Sequence, residues 1–307
     1  MKISIITPAY NEVDNLNLFY SRLLAVLNQE QIDYEWLIVD DCSKDNTFEV
    51  AKKICYIDNR VRLIKFSRNL GSHIAIRCGL NRCTGDIAVV LASDLQDPPE
   101  IIPQLLAEIR SGANIVWAAR ESRNSESVFN VLSSRLFYWL MTRVFKITDT
   151  PPRGADFFAI TRVVISAICQ FKEPNINVFM LLSWVGFSQN VVLYTKQERN
   201  AGVSGWSFFS RVKLGIDSII ASSYVPIRFM SLLGFLTSFL GFAYAVVVLI
   251  NWIFGLPVIQ GWSSLMIVLL FASGIIMTML GLLGEYLWRS LEAARARPMY
   301  FVEKEIN

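Results

Sequence analysis

The sequence contains few of the residues on which several catalytic mechanisms depend. Its 307 residues include a single histidine, His73, so a Ser-His-Asp or Cys-His triad would have to use that residue. No GxSxG motif accompanies it, and we interpret His73 as a residue of a helix start or of a phosphate-facing loop. The sequence also contains no GxGxxG and no GxxxxGK[ST] motif, which excludes a common dinucleotide site and a P-loop.

The cysteine spacing indicates the cellular compartment, and the net charge limits the kinds of binding partner. The five cysteines form no CxxC pair and lie in or beside apolar segments, which predicts free thiols in a reducing compartment. The formal net charge is only +3, so we expect no nucleic-acid partner. The N-terminus runs directly into a strand pattern, and we expect no secretory signal there.

Hydrophobic residues are concentrated near the C-terminal end. Residues 229–254 and 262–284 contain no charged side chain, and a bilayer core is crossed by about 20 apolar residues. Trp252 and Trp262 stand where interface anchors are expected. We therefore predict a two-helix transmembrane hairpin over 229–288; a pair of buried helices in a soluble protein is the alternative.

Positive residues flank this hairpin on both outer sides, whereas its connection, 255–261, is uncharged. Because positive residues stay on the cytoplasmic side, both termini and everything before residue 228 are expected in the cytoplasm. Residues 289–307 are interpreted as a cytoplasmic basic tail. The flanking positive residues are Arg211, Lys213, Arg228, Arg289, Arg295, Arg297 and Lys304.

Near-continuous apolar runs alternate with amphipathic stretches in the N-terminal half. The runs typical of strands are 3–7, 35–40, 61–66, 86–93 and 114–119. The helical patterns lie near 14–29, 45–57, 72–83 and 99–111. This alternation predicts an α/β fold with a doubly wound, mostly parallel sheet.

Ligands of such sheets bind beyond the carboxyl ends of the strands, and four polar stretches follow the predicted strands. Any one of them could be a plain turn or helix cap, but carboxylates gathered at one edge favour a metal-bound ligand such as a nucleotide. The stretches are PAYNE (8–12), DDCSKDNT (40–47), SRNLGSH (67–73) and SDLQD (93–97).

Strand alternation would place residues 92, 94 and 96 on one face of the sheet. A nucleotide-sugar metal site would normally have a second carboxylate at position 92, where this sequence has Ala92. We therefore expect a metal site around Asp94 with one carboxylate fewer than usual; a merely polar strand end is the alternative.

Two amphipathic segments separate the predicted sheet from the apolar hairpin. In residues 128–143, Arg135 and Arg143 lie in or beside the apolar face, which is typical of a helix at the bilayer interface, where guanidinium groups meet phosphate. Outward snorkelling of both arginines is the alternative. Residues 205–228 are interpreted as a juxtamembrane amphipathic helix; packing of this helix against the catalytic domain, which is expected over 1–204, is the alternative.

Five motifs carry a resemblance to a known family: TPAYNE, VDDCSKDNT, FSRNLGSHIAIRCGL, TGDIAVVLASDLQDPPE and the closing GLLGEYLWR…RARPMYFV. Together they resemble the polyprenyl-phosphate glycosyltransferases of glycosyltransferase family two, of the bactoprenol glucosyltransferase type, related to dolichyl-phosphate mannose synthase. The resemblance implies a GT-A fold and inverting transfer of a sugar, UDP-glucose being the commonest donor, to polyprenyl (undecaprenyl) phosphate. The product would be a lipid-linked sugar for cell-surface glycan modification, made at the inner (plasma) membrane.

The resemblance also implies roles for individual residues. Asp94 and Gln96 would hold a divalent metal, Mg²⁺ or Mn²⁺, and Asp156 with Asp94 would be catalytic. Arg120, Ser134 and Arg135 are our candidates for the acceptor phosphate. The residues implied to bind the donor are Pro8, Tyr10, Glu12, Asp40, Asp41, Arg199 and Ser204.

This sequence departs from the family pattern at two points. The usual DxD reads Ala92-Ser93-Asp94, and the usual GDFR reads GADFF over 154–158, which keeps Asp156 and replaces the arginine with Phe158. Another cation must therefore meet the acceptor phosphate.

Two alternative functions and the oligomeric state remain open at the level of sequence. A processive polysaccharide synthase would carry QxxRW, but Asn200 and Ala201 stand where its Arg and Trp belong. A non-enzymatic membrane anchor or flippase subunit would need no polar cluster at the strand ends. A homo-oligomer is compatible with the small residues along the second apolar run, Gly274, Thr278, Gly281 and Gly284.

Overall fold

A computed structural model describes residues 1–121, 155–171, 177–195, 225–254 and 261–307. The chain forms two compact units. One contains a sheet with its surrounding helices and includes the C-terminal residues 298–307, and the other contains two long apolar helices.

The described residues form a sheet of eight strands in the order β7-β5-β6-β4-β1-β2-β3-β8. Strands β1, β2, β3 and β4 are mutually parallel, and so are β5 and β7; β6 is antiparallel to β4 and β5, and β8 is antiparallel to β3. The strands are β1 Lys2–Ala9, β2 Asp33–Asp40, β3 Val61–Phe66, β4 Ile87–Val90, β5 Ile115–Arg120, β6 Ala155–Thr161, β7 Gln189–Tyr194 and β8 Val302–Ile306.

Helices cover both faces of this sheet. The helices of the first unit are α1 Leu16–Gln29, α2 Thr47–Ile57, α3 Ser72–Arg82, α4 Ile102–Arg110, α5 Arg162–Cys169 and α6 Val178–Trp184, and the 3₁₀ turn Pro99–Ile101 precedes α4. The apolar helices of the second unit are α7 Val225–Ile253 and α8 Trp262–Arg295.

Two hydrophobic cores form because side chains alternate along each buried strand. In β2, Trp36 and Ile38 belong to one core and Leu37 and Val39 to the other. The first core is completed by α1, α2 and α4, and the second by α3, α5 and α6. The predicted doubly wound, mostly parallel α/β architecture is thereby confirmed.

Helix α3 lies unusually close to the sheet. A side chain at Gly79 would collide with Ile6 of β1, so only glycine allows this approach without a shift. The close packing fixes α3 over β1 and β2, and therefore fixes the turn that precedes it at the carboxyl edge of the sheet.

The strand predicted over 86–93 is wrong in its extent. Strand β4 ends at Val90, residues 91 and 92 have no regular structure, and residues 93–97 form a turn and a bend in which Leu95 has φ 60°. Strands β6, β7 and β8 were not predicted at all. The segment 289–307, interpreted as a basic tail, instead continues α8 to Arg295 and then supplies β8.

The apolar helices α7 and α8 contain 29 and 34 residues, each longer than the roughly 20 residues that cross a bilayer core. They contain two candidate membrane spans, Ile227–Val248 and Phe271–Arg295. Their described apolar side chains are largely exposed; Phe235, for example, is 71% exposed. Helices of a soluble core would bury such side chains, so this exposure favours association with a membrane.

Candidate active site at the carboxyl ends of the strands

Two loops at the carboxyl edge of the sheet are joined by backbone hydrogen bonds. In the loop after β1, the backbone N–H of Asn11 donates to Ser43 Oγ at 3.0 Å and that of Glu12 to Thr47 Oγ1 at 2.8 Å. In return, the backbone N–H of Lys44 donates to Asn11 Oδ1 at 2.8 Å. The polar residues after β1 and β2 therefore form one surface, as the strand-end rule predicts.

Asp41 connects this surface to the turn before α3. Its Oδ1 accepts the backbone N–H of Leu70 and its Oδ2 that of Gly71, both at 2.7 Å. Gly71 has φ 89°, a conformation that favours glycine. Burial raises the pKa of the Asp41 carboxyl above its ordinary value, although these two hydrogen bonds oppose the shift. Asp41 thus shapes the β3–α3 turn as well as lining the edge.

Asp40, one residue earlier, is fully buried at the end of β2. Its Oδ1 accepts the backbone N–H of Ser43 at 3.0 Å, while Oδ2 has no hydrogen-bond partner among the described residues. Burial raises the pKa of this carboxyl too, against the hydrogen bonds from Ser43 and the charge of Lys65. Asp40 anchors the turn on which Ser43 meets Asn11.

The turn after β4 holds Asp94 and Asp97 in different environments. Asp94 is 9% exposed, and its Oδ1 accepts the backbone N–H of Gln96 at 3.2 Å. Asp97 is buried and accepts a 2.5 Å hydrogen bond from the Tyr194 hydroxyl on β7. Because β4 ends at Val90, strand alternation does not place residues 92, 94 and 96 on one face, and that expectation is wrong.

Three buried polar atoms at this edge have no hydrogen-bond partner among the described residues: Asp40 Oδ2, Ser93 Oγ and His73 Nδ1. Buried polar groups are nearly always hydrogen-bonded, so three such atoms beside neighbouring strand ends are a feature of a ligand site. The sequence placed Ser93 in the polar stretch 93–97 but gave no reason to assign it a role of its own.

His73, the second residue of α3, packs edge-on against Phe179 of α6 with ring centroids 5.9 Å apart. Burial lowers the pKa of its imidazole from 6.5 to about 4, so the ring is neutral near pH 7. The predicted position at a helix start is confirmed.

The fold agrees with comparisons with known proteins. The model of glycosyl transferase family 2 matches residues 4–168. The chain belongs to glycosyltransferase family 2. This chain is 38% identical over 304 residues to the uncharacterized glycosyltransferase YkcC of Bacillus subtilis (strain 168), covering 99% of this chain and 94% of that protein.

Two further comparisons extend the family assignment. The bactoprenol glucosyl transferase of Shigella phage SfX is 31% identical over 307 residues, which are 99% of each chain. The crystal structure of mannosyl-3-phosphoglycerate synthase from Rubrobacter xylanophilus aligns with 71% of each chain at 15% identity and a TM-score of 0.50. The family identifies the protein as a glycosyltransferase with a GT-A fold, and the non-enzymatic anchor alternative is therefore rejected.

Several of the predicted site residues of this glycosyltransferase lie at the carboxyl edge. Pro8 and Ala9 are the last two residues of β1, and Tyr10 and Glu12 lie in the loop that follows. Tyr10 is 39% exposed. The carboxylate of Glu12 accepts a 2.7 Å hydrogen bond from Asn15 Nδ2, and its backbone carbonyl accepts the N–H groups of Asn15 and Leu16 where α1 begins. Arg120 is the last residue of β5 and is partly buried.

The backbone of Asp156 reaches the same edge because β6 is antiparallel to β4 and β5. Val90, at the carboxyl end of β4, is paired with Phe158, and Ala119, near the end of β5, with Ala155. Asp156 therefore stands between two strand ends. Four predicted residues lie outside the described residues: Ser134, Arg135, Arg199 and Ser204.

A divalent metal fits the turn after β4 only if other groups supply most of its ligands. The described residues contain no group of three or more His, Cys, Asp or Glu side chains that could hold a metal. Asp94 offers one carboxylate and Ser93 an unpartnered hydroxyl. Mg²⁺ commonly binds through one or two carboxylates together with substrate phosphates and water, and this donor set suits such an ion.

Proposed function

We propose that this glycosyltransferase transfers a sugar, with inversion, from a nucleotide sugar to polyprenyl phosphate at the cytoplasmic face of the membrane. The observation that carries the proposal is the 31% identity to bactoprenol glucosyl transferases over nearly the whole of both chains, apolar helices included. The preferred donor in this proposal is UDP-glucose, and the product is a lipid-linked glucose for modification of cell-surface glycans.

The nucleotide of the donor is assigned to the joined loops after β1 and β2. Pro8, Tyr10 and Glu12 line one side and Asp40 and Asp41 the other. The exposed Tyr10 ring offers a stacking surface for a base, while the carboxylates accept N–H or O–H donors of base and ribose. Arg199 and Ser204 are assigned to the donor phosphates on the resemblance alone.

The acceptor needs little help from a general base. The second pKa of a phosphate monoester is about 6, so polyprenyl phosphate is largely dianionic at pH 7. One of its oxygens attacks C1 of the sugar, the bond between C1 and the diphosphate oxygen breaks, and the nucleoside diphosphate leaves. Asp156 would orient the acceptor or its cations rather than remove a proton.

The enzyme must then bring two anions together and neutralise the departing diphosphate. Arg120, at the end of β5, and the sequence-assigned Ser134 and Arg135 would meet the acceptor phosphate. Asp94 and Gln96 would hold a divalent metal, Mg²⁺ or Mn²⁺, which supplies positive charge to the diphosphate when bound.

The direct test is transfer of radiolabel. Purified full-length protein is incubated with undecaprenyl phosphate, Mn²⁺ or Mg²⁺ and each of a panel of labelled nucleotide sugars. We expect label from UDP-glucose in an organic-extractable, acid-labile product that is absent without the lipid. Label in a water-soluble polymer would favour a processive synthase, and transfer from another donor alone would correct the assigned sugar.

A further inference from the structure

Strand β8, which follows the second apolar helix, is irregularly paired with β3. The irregularity lies at the carboxyl end of β3, at the edge of the sheet that carries the loops assigned to the donor. Lys65 of β3 is paired with Lys304 of β8, but the next residue, Phe66, is paired with Val302. Glu303 is thus the extra residue of a β-bulge, a feature that redirects a side chain. In this position its Oε2 lies 3.0 Å from Lys65 Nζ.

The side chain of Lys65 contacts two elements, and its strand neighbour places it beside a third. Besides Glu303 on β8, its Nζ lies 5.3 Å from the ring centre of Phe48 in the first turn of α2. In the parallel pairing of β2 with β3, Lys65 is the register partner of Asp40. Its side chain is 20% exposed, so these charges are partly shielded from water.

Asp40 continues the connection into the loops assigned to the donor. Asp40 Oδ1 accepts the backbone N–H of Ser43, whose Oγ accepts the backbone N–H of Asn11, each at 3.0 Å. Asn11 follows Tyr10 directly. The ion pair of Glu303 with Lys65, the pairing of Lys65 with Asp40 and these two hydrogen bonds therefore link β8 to the loop after β1.

We propose that Glu303 is a positioning residue for donor binding, which acts by holding Lys65 beside Asp40. The inference rests on the proposed function, because it assumes that the donor nucleotide binds at these loops. Lys65 has a second lysine nearby, Lys304, whose Nζ lies 5.7 Å from the same Phe48 ring. Glu303 balances this positive pair and fixes the direction of Lys65. The charge of Lys65 in turn favours the ionised form of Asp40, which holds its turn through the backbone N–H of Ser43.

Glu305 provides a matched control on the same strand. It pairs with Arg62 at 3.1 Å and also with Arg82 of α3. Neither of these arginines is a register partner of Asp40. Glu305→Gln should therefore weaken the docking of β8 without acting on the donor loops, whereas Glu303→Gln acts on them through Lys65.

The experiment measures UDP affinity, in the presence of Mn²⁺, for the full-length protein and four variants: Glu303→Gln, Glu305→Gln, Lys65→Met and the double variant Glu303→Gln/Lys65→Met. We expect Glu303→Gln to raise the Kd for UDP about threefold or more, because the loss of a partly exposed ion pair changes the free energy by an amount of this order. Lys65→Met should do the same, and the double variant should add nothing further. The KM for UDP-glucose should rise with kcat retained.

Three results would overturn the inference while leaving the proposed function intact: an unchanged Kd for Glu303→Gln, an equal rise for Glu305→Gln, or additive effects in the double variant. An equal rise for Glu305→Gln would mean that β8 affects UDP binding only through its pairing with β3. A wild-type protein that binds no nucleotide would overturn the proposed function, and this inference with it.

Discussion

The Tyr194 hydroxyl donates a 2.5 Å hydrogen bond to Asp97 Oδ1. This bond fastens the turn after β4, which holds Asp94, to strand β7 near the edge of the sheet. Both side chains are buried, at 2% and 3% exposure, so the carboxylate cannot exchange this partner for bulk water.

Tyr194→Phe should therefore destabilise the protein by about 1–3 kcal/mol, because it removes the hydroxyl from a buried carboxylate. For a unit of this size, the melting temperature should fall by several degrees, at about 2–4 °C per kcal/mol. Melting of the full-length protein in detergent measures the effect. Tyr56→Phe, at a ring that is 73% exposed, is the control; equal shifts in both variants would show that the buried bond contributes nothing.

Much of the sheet was predictable because its parallel strands are buried on both faces. Runs such as Trp36–Val39 are apolar without interruption, and all four predicted helices of the N-terminal half are present. Strand β8 was not predictable: its sequence VEKEI is mostly charged and exposed, and only its pairing with β3 makes it a strand. Tertiary pairing outweighed local preference there.

The sequence predicted that the site lies at the ends of the strands, but it did not predict the hydrogen bonds that join these strand-end loops to one another. Asp40, Asp41 and Asp94 lie where the strand-end rule puts them. The partners of these loops are distant in sequence, as Asp41 with Leu70 and Asp97 with Tyr194 illustrate. The predicted alternation of residues 92–96 failed because Leu95 adopts a positive φ, which no apolar pattern reveals.

Protonation of His73 should destabilise the protein in acid. Its folded-state pKa is about 4 against an ordinary 6.5, so the unfolded chain binds the proton first as the pH falls. Stability is then lost between about pH 6.5 and pH 4. His73→Phe keeps an aromatic ring against Phe179 and removes the titration.

Acid unfolding of the two proteins provides the measurement. The pH of half-unfolding should be lower in His73→Phe by roughly half a unit or more. Asp40 and Asp41 have raised pKa values in both proteins, so their contribution cancels in the comparison. An identical pH of half-unfolding in the two proteins would mean that protonation of the imidazole does not destabilise the folded state.

Removal of residues 298–307 should destabilise the sheet unit even though these residues follow the apolar helices α7 and α8 in the chain. Ile306 packs against one core, Val302 and Tyr300 against the other, and Tyr300 stacks on Phe66 at 5.2 Å. Their loss would also expose the edge of β3, an unpaired edge that favours aggregation.

A protein ending at Arg297 should therefore melt several degrees lower and aggregate on size-exclusion chromatography. A protein ending at Ile306, which lacks only Asn307, is the control. The same reasoning applies to any soluble version that ends before Phe229, since it also lacks β8. Unchanged melting of the protein ending at Arg297 would make β8 dispensable.

Arg135→Ala should impair use of the lipid acceptor more than use of the donor. Arg135 lies outside the described residues, and the prediction follows from the sequence pattern of 128–143, in which Arg135 falls in or beside the apolar face of an expected helix, where a guanidinium can meet a phosphate. We expect the apparent KM for undecaprenyl phosphate to rise about tenfold, as for loss of one charge-assisted hydrogen bond. Arg110→Ala, at the exposed end of α4, is the control. A rise confined to the nucleotide-sugar KM would assign Arg135 to the donor.

Asp94→Asn should abolish transfer, and EDTA should do the same to the native enzyme. Asp94 is the carboxylate that the family resemblance assigns to the metal, and Ala92 supplies no second one. Since a single carboxylate holds a divalent ion weakly, the donor diphosphate must supply most of the remaining ligands.

Metal affinity should consequently be weak without nucleotide and should tighten at least tenfold when UDP is present, as calorimetric titration with Mn²⁺ can measure. Asp33→Asn, an exposed carboxylate at the opposite end of β2, should leave both transfer and metal binding unchanged. Full activity in EDTA would mean that arginines alone neutralise the leaving diphosphate. In that case Asp94 would serve only to hold the turn, through its hydrogen bond from the Gln96 backbone.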